Sequence, residues 1–104
     1  MMLADKRRTR RIRIGQPLKI RACDPKDAGV EEVNITRNVS RDGIYFISPI
    51  RTYTEGMRLY VTVPHHNPRD PKDREYLGQV VRVDRLADEL CGVAIQFLTE
   101  VKPQ

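Results

Sequence analysis

An all-β domain of six short antiparallel strands, preceded by a basic arm, is what this sequence predicts. Apolar residues alternate with polar ones over short runs, and turn clusters separate those runs at intervals of roughly 8 to 12 residues. Val and Ile together number 18 against 12 for Leu and Ala, a tilt toward strand. Hardly any stretch shows a helical period. Six such strands close into a small barrel or pack as a sandwich.

The first strand contains Ile12 and Ile14, then Leu18, Ile20 and Ala22, interrupted near Gly15-Gln16-Pro17. Asp24-Pro25-Lys26-Asp27-Ala28-Gly29 is a turn cluster. Val33 and Ile35 alternate through a second strand, which ends in the turn Asn38-Val39-Ser40-Arg41-Asp42-Gly43. Ile44-Tyr45-Phe46-Ile47-Ser48 is the third strand, and the loop 49–56 closes on Gly56. Leu59, Val61 and Val63 alternate in a fourth. Residues 64–74 form a polar loop with three prolines. Leu77 to Leu86 reads as a fifth strand with Val81 and Val83 inward, Asp88-Glu89 turns the chain, and Cys91, Val93, Ile95 and Phe97 mark the sixth.

Length and charge narrow the class. At 104 residues, one domain fits and two independently cored ones do not. No apolar run approaches the ~18 residues of a membrane helix, and the N-terminus turns basic without an apolar stretch, so neither membrane insertion nor a secretory signal is expected. A cytoplasmic location follows. Cys23 and Cys91 are expected as free thiols, and the sequons at Asn34 and Asn38 carry no meaning without export.

The charge is uneven. The whole chain is +5, but residues 1–21 alone are +7, leaving a body of −2. Arginine outnumbers lysine 14 to 5, and its planar fork suits bidentate phosphate contact and stacking on bases. Such an arm grips an anionic partner or merely solvates the chain.

Enzymatic signatures are absent: there is no P-loop, GxSxG, HExxH or dinucleotide glycine fingerprint, so no enzyme is expected. His65 and His66 are adjacent in a Pro-rich loop, poorly placed to share a metal. No metal and no cofactor are expected.

Two elements remain. Arg7 and Arg11 are spaced RxxxR in the arm, a pattern that Arg37 and Arg41 also satisfy in so arginine-rich a chain. The Asn38–Gly43 turn offers an amide and a hydroxyl to a base edge or a phosphate, and Gly43 permits positive φ and a close backbone approach. Asn, Ser, Asp and Gly are also ordinary turn residues.

In this order, RxxxR leading into the first strand and [D/N]xSxxG following 27 residues later before Ile-Tyr-Phe-Ile, the chain resembles the PilZ domain family. Gly56 before the Leu59–Val63 strand and Gly92-Val-Ala-Ile-Gln-Phe97 extend the likeness over about residues 6 to 98. The resemblance implies a six-stranded antiparallel (split) barrel of bacterial origin that binds the second messenger cyclic di-GMP. It divides the chain into a flexible basic arm (1–11), a barrel (12–98) and a short tail (99–104). It further implies that Arg7 and Arg11 clamp phosphates and stack on guanine, with Arg8 and Arg10 beside them. Asn38, Ser40 and Gly43 then form a guanine-reading turn, with Asn38 standing where Asp is common. With no output domain in the chain, signalling would pass to a downstream effector protein. The competing readings are a degenerate member that binds no nucleotide and acts by protein interaction, and a small barrel that binds single-stranded nucleic acid. The second is disfavoured because such proteins present several exposed aromatics, whereas Phe46 and Phe97 here look like core.

Overall fold

The computed structural model describes residues 15–64 and 74–101. Six strands, β1 (Pro17–Ala22), β2 (Glu31–Val39), β3 (Gly43–Ser48), β4 (Arg58–Thr62), β5 (Glu75–Arg85) and β6 (Cys91–Val101), close into a barrel in the order β1-β2-β3-β6-β5-β4. Every pairing is antiparallel. Closure gives each strand two neighbours.

The expected alternation builds the core. Leu18 and Ile20 of β1, Ile44 and Phe46 of β3, Leu59 and Val61 of β4, Val80 of β5, and Cys91, Val93 and Ile95 of β6 are buried together. The two cysteines are free thiols, Cys91 inside the barrel and Cys23 half-buried. The Asp24 cluster folds as a single 3-10 turn over Pro25–Asp27, in which the Asp24 carboxylate accepts from the Lys26 N–H at 3.0 Å. Gly56 has φ 94, a left-handed conformation that suits glycine, where the loop re-enters the barrel. Among the described residues no helix is long and apolar enough to cross a membrane.

Three details differ from the sequence reading. Val81 is not inward; it is 47 % exposed. The β5–β6 register shifts between Val80 and Arg82, a bulge that turns Val81 and Arg82 outward together and returns Val83 to the core side. In β2 the apolar pair faces out, with Val33 67 % and Ile35 60 % exposed, while Glu32, Asn34 and Thr36 turn inward. Finally, β6 runs on to Val101, opposite Glu75, so Thr99–Val101 is strand and not tail. Ile12, Ile14, His65 and His66 lie outside the described residues.

The inward polar face of β2 is hydrogen-bonded at one end of the barrel. Glu32 accepts from the buried Tyr53 hydroxyl at 2.5 Å, from Ser48 at 2.7 Å and from the Asn34 amide at 3.0 Å. Tyr53 also packs edge-on to Phe46, ring centroids 5.8 Å apart. Burial, then the Glu32 carboxylate, pushes the Tyr53 phenol well above its ordinary range, so it stays neutral and donates.

Candidate functional site

The other end of the barrel carries the turn between β2 and β3. Asn38 is still within β2, and the turn proper is Ser40-Arg41-Asp42. It is held by the Ser40 N–H donating to the Gly43 carbonyl at 2.9 Å, by the Asp42 N–H donating to Ser40 Oγ at 3.2 Å, and by the Phe97 N–H donating to the Asp42 carbonyl at 2.8 Å. Serine therefore shapes the turn with the same oxygen that it exposes.

Gly43 serves a different purpose from the one expected. It does not adopt positive φ; Gly56 is the glycine that does so among the described residues. A Cβ at Gly43 would fall 2.2 Å from the Ile95 carbonyl oxygen and 3.3 Å from Gln96 Cα. Glycine is required here because β3 passes close over the backbone of β6, which seats the turn against the barrel.

Two hollows flank this turn. A cleft of about 470 Å³ is lined by Asn38, Val39, Ser40 and Gly43, by Ile44 and Tyr45 of β3, by Arg82 of β5, and by Ala94 and Ile95 of β6. A second, of about 340 Å³, shares Val39 and Ser40 and adds Gln16, Arg41, Arg74, Tyr76 and Phe97. Tyr76 and Phe97 stack in its floor at 4.2 Å. Phe97 is thus half-buried against the core, while Phe46 is wholly inside.

Asn38, Ser40 and Gly43 all line the first cleft. Arg7, Arg8, Arg10 and Arg11 lie outside the described residues. The chain that leads to them joins the barrel beside the turn: the Gln16 N–H donates to Thr36 Oγ1 and the Thr36 N–H donates to the Gln16 carbonyl, both at 3.0 Å. Thr36 lies two residues before Asn38.

Sequence reasoning missed Tyr45 and Arg82. Arg82 lies 5.6 Å from the Tyr45 ring centroid, and both side chains converge on Asp84. Burial, then the hydrogen bond to Asp84, raises the Tyr45 pKa. The Arg82-x-Asp84 spacing is visible in the sequence, but only the bulge places it on this face. The arrangement offers an amide, a hydroxyl, an aromatic face and a cation around one cleft. Those are groups for holding a planar, anionic molecule, and among the described residues no set of three or more His, Cys, Asp or Glu could hold a metal.

A family model described as PilZ domain matches residues 5–104. No curated protein is a sequence match. Among solved structures, that of Bacillus subtilis Inhibitor of motility (MotI/DgrA) superposes with a TM-score of 0.65 at 14% identity, covering 94% of this chain and 44% of that one. At this identity the likeness is one of fold, and this chain spans less than half the length of its structural neighbour.

Proposed function

This chain belongs to the PilZ domain family, and from that premise we propose that it is a non-enzymatic receptor or adaptor for cyclic di-GMP, acting in the bacterial cytoplasm on a downstream effector protein. The observation that carries this reading is the first cleft, where Asn38, Ser40 and the Gly43 turn meet around about 470 Å³, a size ordinary for small-molecule sites. In this reading Asn38 and Ser40 hydrogen-bond a guanine edge. Arg7 and Arg11 hold the phosphates and stack on the bases, with Arg8 adjacent.

Tether length supports the clamp. Arg11 is four residues before Gly15 and Arg7 eight, so about 14 Å and about 28 Å of extended chain reach them. The strand from Thr36 to Ser40 spans about 13 Å. Tethers of these lengths are long enough to span that distance. The ligand is a dianion with two purines, which planar arginines suit better than lysines.

Isothermal titration with cyclic di-GMP tests the reading, with GTP and a short single-stranded DNA as controls. Saturable binding of cyclic di-GMP alone, lost in Arg7→Ala/Arg11→Ala, is the expected result. No heat would leave the protein-interaction module that binds no nucleotide, and salt-sensitive DNA binding would point to a nucleic-acid partner instead.

A further inference from the structure

Arg82 is held in place more firmly than its exposure requires. The bulge at Val81 brings Arg82 and Asp84 to the outer face of β5, opposite Ala94 and Gly92 of β6. Those two residues have almost no side chain, so β5 and β3 side chains meet across them. A Cβ at Gly92 would lie 1.8 Å from the Tyr45 hydroxyl, and glycine there lets Tyr45 reach Asp84. Asp84 Oδ2 accepts from the Tyr45 hydroxyl at 3.2 Å, and the Arg82 Nε–H is shared between Asp84 Oδ1 at 3.2 Å and Oδ2 at 3.3 Å. The side chains of the Arg82–Asp84 pair are 60% and 38% exposed, and pairs so exposed contribute little stability. What the pair achieves is orientation: Nε is occupied by Asp84, while among the described residues Nη1 and Nη2 have no hydrogen-bond partner, and Arg82 lines the cleft together with Asn38 and Ser40.

We propose that Arg82 reads the N7/O6 edge of a guanine and sets the preference for guanine over adenine, Asp84 being its positioning residue. This rests on the reading of the cleft as the cyclic di-GMP site. Guanine presents two acceptors on that edge, which a guanidinium fork meets bidentately, whereas adenine presents one acceptor and an amino donor that opposes the fork. Asn38 cannot supply the distinction. Its side chain carries a donor and an acceptor, and an amide pairs bidentately with adenine as readily as it serves guanine. A site that has an amide at this position needs a cation on the base edge to choose the base, and among the described residues Arg82 is the cation that lines the cleft.

Titration of the wild type, Arg82→Lys, Arg82→Ala and Asp84→Asn with cyclic di-GMP and with cyclic di-AMP tests this. Wild type is expected to prefer cyclic di-GMP. Both Arg82 variants should lose that ratio by roughly ten- to a hundredfold, the worth of one bidentate base contact, almost wholly through cyclic di-GMP. Asp84→Asn should lower the ratio in the same sense while leaving cyclic di-AMP affinity in place, which a general loss of structure would not do. An Arg82→Ala variant that keeps the wild-type ratio would overturn the proposal and leave the receptor reading standing. Parallel loss of both ligands would also overturn it, making Arg82 a plain phosphate cation. A wild type that binds no cyclic di-GMP would remove the receptor reading itself.

Discussion

Gly43 and Gly29 differ in what a methyl group would meet, and that difference decides two substitutions. At Gly43 the new Cβ would lie 2.2 Å from the Ile95 carbonyl, a backbone atom that cannot rotate away. Gly43→Ala should therefore cost about 1–3 kcal/mol of stability, as overpacking does, and, on the proposed receptor reading, weaken cyclic di-GMP binding by tilting the turn. At Gly29 nothing lies within 4 Å and φ is not positive. Gly29→Ala should raise stability by about 0.4–1 kcal/mol through the unfolded chain. Urea midpoints on the two variants check both signs, and equal midpoints would show that β3 can draw back from β6. Asn38, Ser40 and Gly43 stood out in the sequence through the family resemblance, since turn chemistry alone reads them as an ordinary turn. The reason for the glycine was not legible, because a close approach between strands 52 residues apart, Gly43 to Ile95, leaves no local trace. Arg82 was hidden for a similar reason: its face depends on a one-residue bulge that alternation alone does not reveal.

At the level of the strand, period two gives existence but not direction. The pattern Val33-x-Ile35 correctly marks β2, yet these side chains point to solvent and the polar ones point in. A barrel interior accepts that inversion only where every inward polar group finds a partner. Here Glu32 is satisfied by Tyr53, Ser48 and Asn34, and Thr36 Oγ1 by the Gln16 N–H. Apart from Asn34 of β2 itself, those partners come from β3, the 49–56 loop and the residue before β1, so the sequence of β2 could not announce them. The clean alternation of β4 and β6 was legible because both bury apolar side chains without such help. It follows that Val33→Thr/Ile35→Thr, which keeps the β-branched shape, should shift stability by no more than about 0.5 kcal/mol. Leu59→Ala, inside the barrel, should cost about 2–5 kcal/mol. A large loss in the β2 variant, measured by urea denaturation, would mean that its outer face is covered in solution.

Across the whole molecule, the barrel sets its buried polar cluster and its open cleft at opposite ends. Glu32 and Asn38 stand at opposite ends of β2, about 20 Å apart along the strand. One end is closed by the Glu32, Ser48, Tyr53 and Phe46 cluster; the other opens as the cleft beside Ser40. The closed end should reveal itself in alkali. Tyr53 ionises less readily in the fold than in the unfolded chain, where its ordinary value is 10.0. Its contribution to stability is therefore complete below that value and is lost as the pH climbs beyond it, where the unfolded chain releases the proton first. The slope contributed is at most about 1.4 kcal/mol per pH unit. Tyr45, also raised, acts in the same direction. Tyr53→Phe should lose about 1–3 kcal/mol at neutral pH, since Glu32 keeps fewer donors, and its stability should fall less steeply than wild type above pH 10. Its affinity for cyclic di-GMP should be unchanged, because the substitution lies at the far end of the barrel from the cleft. Denaturant titrations from pH 8 to about 11 measure the slope, and calorimetry at neutral pH measures the affinity. Parallel alkaline slopes would assign the loss to other groups. A weakened affinity would show that the two ends are coupled through β2 and β3, the strands that join the polar cluster to the Ser40 turn.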